Sequence, residues 1–362
     1  MISIARLLRE MPEGYEEACF TEKAIQRKRE ISEPGDLMML SLFHLLNGSS
    51  LEEVRLIAEM TKLGTLSDVA LMNRFAGCND WYKWIISSLV TNGAIVYSKP
   101  EWLEKYAVYG VDASDVKEKG RSGRIYRLHF ALDLFNMRSG QYAITTNKVG
   151  ESLRNFKVKE SDLIVGDRGY VSLNGVEHCI DSGGSFILRL RKNSFTLYSE
   201  DRKPVSLIEN LRKLREDDTL DMNVYAKGSD GGKWIPLRVC ARRKTPKAIA
   251  DTKTKLKRTE YKQQSKLTDG AKEFNEYIVL VTNLPKAVMS EQVLDVYRLR
   301  WQVEIYFKRL KSILDFGQLP KRREDCVMAW LNGKLMISLL IEKIVGAALF
   351  SPEHEQDEEC LA

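Results

Sequence analysis

Between residues 105 and 191, short apolar runs alternate with helix-like stretches, and this alternation limits the possible folds more than any other feature of the chain. The runs KYAVYGVDAS, IYRLHFALDL and GQYAITTN carry the β-branched and aromatic residues typical of strands. KVGESLRNF is then predicted as a helix, SDLIVGDRGY as a strand, VSLNGVEHCIDSG as a helix and SFILRLR as a strand. This order predicts a mixed α/β sheet with helices on its faces.

The segment before this region has the pattern of a helical domain, residues 1–98. Ser50 and Glu53 have the spacing of a capping box for a helix that runs through Met60. Short helices joined by tight turns could form a DNA-reading helix-turn-helix unit or a plain bundle. The sequence leaves both open.

The segment after it loses the alternation. Residues 192–277 hold two short possible strands, MNVYAK and WIPLRVCAR, and a run of bases between 242 and 266. NEYIVLVTNLP then restores a strand, and a long helix is predicted from Ser290 to about Leu314. Residues 321–362 are predicted as a helical region with an acidic tail.

Composition excludes several classes of protein. The 362 residues suffice for two or three domains, and 44% hydrophobic content provides a core. Six cysteines are scattered without a CxxC pair, which argues against a zinc or redox motif and fits a reducing cytoplasm. No secretory signal is evident at the N-terminus. The apolar segment near 331–350 carries Lys334, Glu342 and Lys343, so we expect a packed helix there and no membrane span.

The stretch YRLRWQVEIYFKRLKS, residues 297–312, places one acid among five bases. At about 100° per residue, four of its polar residues fall within roughly a 60° arc of one helix. They are Tyr297, Arg300, Glu304 and Lys311. One interpretation is a surface ion pair between Arg300 and Glu304. The polar arc adjoins the apolar face of the helix, however, which favours a functional site.

Two aspartates each follow a short apolar run: Asp112 ends VYGVD and Asp167 ends LIVGD. The carboxyl ends of strands in an α/β sheet face the usual ligand crevice. Either aspartate could instead cap a turn or a helix. Asp115 is a rival to Asp112, which we prefer because it directly closes the predicted strand; Asp133 and Asp162 are weaker rivals.

Together with Glu304, these aspartates supply three carboxylates of the kind that hold hard divalent cations. Two Mg²⁺ ions about 3.5–4 Å apart can activate water and stabilise a leaving oxygen in phosphodiester cleavage. The bases around Glu304 would bind the phosphates of the same substrate. On this hypothesis Glu304 is a metal ligand, and the bases around it bind DNA.

The spacing Tyr297-x2-Arg300-x3-Glu304-x6-Lys311 matches the YREK signature. On this signature the chain resembles the DDE transposases of bacterial insertion sequences, family four. The surroundings are similar as well: VDAS at the first Asp, GDRGY at the second and LRWQVEIYFKRLKS at the Glu. Since RLHFALDL and YIVLVTNLP also look like strands of that family, the resemblance covers about 105–345.

The resemblance implies a ribonuclease-H-like mixed sheet with helices on both faces, interrupted by a β-rich insertion. The core would be residues 99–191 and 278–320, and the insertion residues 192–277. The resemblance also implies a metal triad that binds two ions of Mg²⁺ or Mn²⁺. Its members would be Asp112, Asp167 and Glu304.

DNA contacts are implied for a further set of residues. They are Tyr297, Arg300, Trp301, Lys308, Lys311 and Arg168. Trp301 could hold a displaced base by stacking or could pack at a helix edge. Arg168 could contact phosphate or pair with an acid.

The implied function is a cut-and-paste DNA transposase, associated with the bacterial nucleoid in the cytoplasm. It would bind terminal inverted repeats through residues 1–98, act as at least a dimer in the synaptic complex, and join the cut ends to target DNA. A ribonuclease-H-like nuclease would share the chemistry but would not join strands. A domesticated, non-catalytic DNA-binding protein would keep the basic surface without needing the three carboxylates.

Overall fold

The computed structural model describes residues 3–27, 30–46, 48–92, 99–118, 125–136, 138–192, 194–215, 218–313, 318–319 and 323–349. The acidic tail expected at the end of the chain lies outside the described residues, as does the end of the expected first domain at 93–98.

The amino-terminal part is helical, as predicted. Its helices are α1 (Ile4–Arg9), α2 (Tyr15–Thr21), α3 (Pro34–Leu46), α4 (Leu51–Met60), α5 (Asp68–Gly77) and α6 (Asn79–Asn92). The predicted capping box begins α4: the Ser50 hydroxyl accepts the Glu53 N–H, and the Ser50 N–H donates to the Glu53 carboxylate. These two bonds satisfy backbone groups that a helix end would otherwise leave unpaired.

The rest of the chain alternates between strands and helices. Its elements are β1 (Ala107–Glu118), β2 (Ile125–Asp133), β3 (Arg138–Thr146), β4 (Asp162–Gly166), α7 (Leu173–Asp181), β5 (Ser185–Arg189), β6 (Leu197–Tyr198), α8 (Leu207–Leu211), β7 (Thr219–Lys227), β8 (Trp234–Arg243), α9 (Pro246–Gln263), α10 (Asp269–Phe274), β9 (Tyr277–Thr282), α11 (Ser290–Leu299), α12 (Trp301–Ile313), β10 (Gln318–Leu319) and α13 (Glu324–Leu349).

In the described residues the strands form one ten-stranded mixed sheet, in the order β3-β2-β1-β4-β5-β9-β8-β7-β6, with β10 paired to β1. β1, β4 and β5 are parallel, whereas β2 and β9 run antiparallel to their neighbours. One face packs Val108 and Phe130 against Val303 of α12, and the other packs Val111 with Val176 of α7. The predicted mixed α/β sheet with helices on both faces is therefore confirmed.

Two local predictions are wrong, and one short strand was missed. KVGESLRNF is not a helix: only Leu153–Asn155 turns, as one 3₁₀ turn capped by Ser152, and the backbone is extended again at Phe156. The long helix predicted from Ser290 is divided at Arg300 into α11 and α12. β10 was not predicted at all, because two residues are too short to show an alternating pattern.

Residues 192–277, expected to be β-rich, contain both strands and helices. MNVYAK lies in β7 and WIPLRVCAR in β8, and β8 pairs with β9, so these strands extend the core sheet. The basic run forms mainly the helix α9, which was not predicted. Thr245 begins this helix, since its hydroxyl accepts the Ala248 N–H, and Pro246 follows at the first helical position.

The apolar late segment is a packed helix, as expected. Leu335, Met336 and Ile337 of α13 are fully buried, and the helix packs against α3, α5 and α6. Within the described ranges, no helix has both the length and the apolar character needed to cross a membrane.

Gly110 of β1 sets the distance between the sheet and α12. A Cβ added there would lie 2.6 Å from Val303 Cγ2 and 2.9 Å from Leu134 Cδ2. We expect Gly110→Ala to lower the free energy of unfolding in urea by about 1–3 kcal/mol, because the strand or the helix must shift. Gly150→Ala is the control, since nothing lies within 4 Å of its added Cβ. Equal urea midpoints for the two variants would contradict this packing.

Candidate active site

The two aspartates singled out in the sequence lie side by side in the sheet. Parallel pairing of Val111 with Gly166 makes Asp112 and Asp167 the next residues of their two chain segments. The expectation that Asp112 closes its strand is wrong, because β1 continues and Asp112 pairs with Phe130 of β2. The pairing of β1 with β4, by contrast, does end just before Asp112, at Val111 and Gly166. The carboxylates therefore meet where these two strands separate.

The helix α12 brings Glu304 to the same face of the sheet. Side chains alternate along a strand, so Gly110 and Asp112 lie on one face of β1, and Gly110 is in contact with Val303. Glu304 is the next residue of the helix, and its negative charge acts on the pKa of Asp112. The close approach at Gly110 thus positions the third carboxylate.

Arg300 is the buried cation of this cluster, with 8% of its surface exposed. Its Nη2 donates to Glu304 Oε1 at 2.6 Å, and its charge lowers the pKa of both Asp112 and Asp167. The ion pair considered in the sequence analysis therefore exists. Its cationic partner is buried beside the aspartates, however, and does not lie on a solvated helix surface.

Asp112 lies in an environment that disfavours its charge. Burial raises its pKa to about 6, and the negative charges of Glu151 and Glu304 add to this effect. The N–H of Ala113, which donates to Asp112 Oδ1 at 2.8 Å, and the Arg300 guanidinium act in the opposite direction. Crowded carboxylates of this kind are where a cation binds most favourably.

Asp167 is held in its charged form. Burial acts to raise its pKa, but the Arg300 guanidinium and the Arg168 N–H outweigh burial, so the pKa lies below its ordinary value. The Tyr297 hydroxyl also donates to Asp167 Oδ1 at 3.1 Å. Tyr297 and Arg300 therefore contact the acidic residues directly.

The rival aspartates have other partners. Asp115 pairs with Arg127 of the neighbouring strand at 2.8 Å. Asp133 accepts hydrogen bonds from the backbone and side chain of Asn136, as a turn residue does, and Asp162 accepts a backbone N–H at 2.8 Å. Asp115 is thus paired with an arginine, and Asp133 and Asp162 accept hydrogen bonds from residues near them in the chain.

The other residues expected at DNA lie mostly on the outside. Trp301 is 52% exposed, and the Lys308 ammonium lies 5.9 Å from its ring centroid. Lys311 is exposed farther along α12. Arg168, by contrast, is largely buried, and its Nη1 donates to Asn275 Oδ1 at 2.7 Å.

Two residues of the site were missed by sequence reasoning. Arg189 ends β5, one strand from Asp167, and its charge helps to lower the pKa of Asp167. Its position after an apolar strand was the same signal that identified the aspartates. Glu151 lies in the segment wrongly predicted as helix, and no sequence signal pointed to it.

The donor chemistry of the cluster fits a hard divalent cation, since two half-buried carboxylates lie side by side and a third lies close by. In the described part of the chain, no three His, Cys, Asp or Glu side chains are arranged closely enough to form a metal site. The present partner of Glu304 is Arg300. The Arg300 guanidinium thus places a positive charge beside Glu304, where a bound metal ion would otherwise place one.

Comparisons with known proteins identify the family of the chain. Residues 103–340 match the model of the transposase DDE domain family. InsL of insertion sequence element IS186A from Escherichia coli (strain K12) is 26% identical over 353 residues, which are 96% of this chain and 95% of that protein. The transposase for insertion sequence element IS421 from Escherichia coli is 27% identical over 354 residues, again 96% and 95% of the two chains. The transposase for IS231F from Bacillus thuringiensis subsp. israelensis is 28% identical over 240 residues, 57% of this chain and 48% of that one. The chain therefore belongs to the transposase DDE domain family, an enzyme family that cleaves and joins DNA strands.

Proposed function

We propose that this transposase cuts DNA at the ends of its insertion sequence and joins those ends to target DNA, with Asp112, Asp167 and Glu304 as the ligands of two Mg²⁺ or Mn²⁺ ions. The observation that carries the proposal is the register of β1 and β4, which makes Asp112 and Asp167 neighbours on the face that α12 covers. Relatives named as transposases for insertion sequence elements support the same function.

When bound, the divalent ions would supply Lewis-acid stabilisation of phosphate oxygens and a lower pKa for the attacking water. Water attacks the phosphorus at the element end and the P–O3′ bond breaks, which leaves a 3′-hydroxyl on the element and a 5′-phosphate on the flank. That hydroxyl could then attack the phosphorus at the same end of the opposite strand, which closes a hairpin on the element and releases the flank with a 3′-hydroxyl. Water opens the hairpin, regenerates the 3′-hydroxyl of the element and leaves a 5′-phosphate on its other strand. The 3′-hydroxyl then attacks a target phosphodiester and releases a 3′-hydroxyl on the target.

The chain's own residues position the phosphate and balance its charge. Arg300 places its guanidinium charge beside the aspartates, where it would balance the charge of a bound phosphate. Lys311, exposed on α12, adds a second positive charge. Tyr297 fixes the orientation of Asp167 through its hydroxyl. The half-exposed Trp301 offers a ring on which a displaced base stacks.

The expected partner is double-stranded DNA, at both the terminal inverted repeats and the target. We propose helices α1–α6 as the DNA-end-binding module, because they form the helical part of the chain ahead of the catalytic sheet. Two ends must meet before they are joined, so we propose a dimer in the synaptic complex.

The proposal is tested by incubating the protein with DNA that carries the element's own ends and with a target plasmid, in Mg²⁺, in Mn²⁺ and in EDTA. We expect cleavage and strand joining in either metal and neither in EDTA. Cleavage without joining would identify a nuclease. Binding without cleavage in any metal would identify a non-catalytic DNA-binding protein. Either result would overturn the proposal.

A further inference from the structure

Helix α9 carries a basic outer surface that the catalytic mechanism does not use. Its inner side holds the partly buried Ile249, Thr252, Leu256 and Glu260, which recur at helical spacing. Its exposed side holds Lys247, Lys255, Lys257, Arg258, Tyr261 and Lys262. Tyr261 is 87% exposed, the most exposed of the large hydrophobic side chains described. We call this exposed side the α9 basic surface.

The α9 basic surface holds five bases and one acid, the exposed Asp251, so it keeps a net positive charge. In the described part of the chain, none of its lysines or its arginine has a carboxylate within 4.0 Å, whereas Lys253 of the same helix pairs with Glu276 at 2.8 Å. Arg258 and Lys262 are like charges four residues apart, a spacing at which like charges destabilise a helix. A polyanion bound along the helix would relieve this repulsion.

The helix begins at the same edge of the sheet as the catalytic aspartates. β4 and β5 are parallel, and β8 ends at Arg243, which pairs with Tyr277 at the start of the antiparallel β9. The carboxyl ends of β4, β5 and β8 therefore share one edge. β8 is four strand positions from β1, or about 20 Å across the sheet.

Half-buried bases lie between the two places along this edge. Lys244 follows β8, and burial together with the charges of Arg189 and Arg168 lowers the pKa of Lys244 to about 8. Its ammonium donates to Asn275 O and Thr252 Oγ1, which are neutral groups. Positive charge thus continues from Asp167 to the start of α9.

We propose that the α9 basic surface binds the phosphate backbone of duplex DNA outside the element end. The inference rests on the proposed function. Lysine, arginine and tyrosine at an exposed helix contact phosphates without reading bases, which suits DNA of arbitrary sequence. Helices α6 and α13 pack near β3, at the opposite end of the sheet order, so the proposed end-binding module lies on the other side of the catalytic strands. Such DNA has two sources, the donor flank and the target.

The test measures DNA affinity against salt concentration without divalent metal, so it does not depend on cleavage. The variant is Lys257→Gln/Arg258→Gln/Lys262→Gln, and the matched control is Lys253→Gln, whose charge is already paired. One arm uses end duplexes with no flank or with a flank of about 12 base pairs, and the other uses pre-cut ends with target duplex. On flanked or target DNA, the logarithm of the binding constant should fall less steeply with the logarithm of the salt concentration for the triple variant than for wild type. We expect the magnitude of this slope to be smaller by about 2–3.

A loss confined to the flanked duplex assigns the surface to the donor flank, and a loss confined to the second arm assigns it to the target. The control should keep the wild-type slope in both arms, and thermal unfolding should show that the triple variant is folded. Wild-type slopes for the triple variant in both arms would overturn the inference, as would an equal loss on end DNA without a flank. If wild type fails to cut in Mg²⁺ while the slopes change as expected, the proposed function fails and the DNA surface stands.

Discussion

Asp167→Asn should reduce cleavage at the element end by about 10³-fold or more and should leave DNA binding unchanged. The substitution keeps the size of the side chain and removes the charge that Arg300 and Tyr297 hold in place. Asp112→Asn and Glu304→Gln should have the same effect, since each removes one carboxylate of the same cluster. Single-turnover cleavage and a gel-shift assay on the same DNA measure the two quantities.

Asp115→Asn is the control for this series. Asp115 lies in the same strand as Asp112, but its carboxylate pairs with Arg127 at 2.8 Å. We expect wild-type cleavage from this variant. If Asp115→Asn were inactive and Asp112→Asn active, the choice between the two aspartates would be wrong.

Arg300→Ala should lower the cleavage rate by about 10²–10³-fold, because a buried guanidinium beside the reacting phosphate is lost. Arg300→Lys should recover only part of the rate, since an ammonium supplies the charge without the two-pronged geometry of the guanidinium. Substrate affinity should change less than the rate of the chemical step. Single-turnover kinetics at saturating protein separate these two effects.

Arg298→Ala is the matched control for Arg300. Arg298 lies two residues away, its side chain is 76% exposed, and it pairs with Asp295 at 3.6 Å on the surface. We expect its cleavage rate to stay within about threefold of wild type, as for surface substitutions that change stability little. Equal losses from both substitutions would show that general positive charge matters and that the position of Arg300 does not.

The sheet could be predicted from the sequence because its strands bury both faces. Val108 and Val111 of β1 point to opposite cores, and both cores are apolar, so the strand appears as a continuous hydrophobic run. Helix α9 could not be predicted in the same way. Its inner side is only partly buried, so few apolar residues mark its period, and its many charges resemble a loop.

The candidate site was predictable only in part, for a related reason. Asp112 and Asp167 follow apolar runs, and the spacing from Tyr297 to Lys311 marks the helix. The pairing of strands is not visible in a single sequence, so the end of the ladder between β1 and β4 could not be foreseen. The same holds for Glu151, which reaches Asp112 from a turn.

Binding of catalytic metal ions by the three carboxylates can be tested by changing a ligand and the metal together. Mg²⁺ takes hard oxygen ligands, whereas Mn²⁺ as a transition metal tolerates a softer thiolate better. We therefore predict that Asp167→Cys does not cleave in Mg²⁺ and that its cleavage rate is at least about tenfold higher in Mn²⁺. This is the result expected if the substitution removes a ligand of Mg²⁺ and supplies one that Mn²⁺ accepts. Wild-type cleavage by Asp167→Cys in Mg²⁺ would contradict metal binding by Asp167, because a ligand of the catalytic ion cannot be exchanged for sulfur without cost.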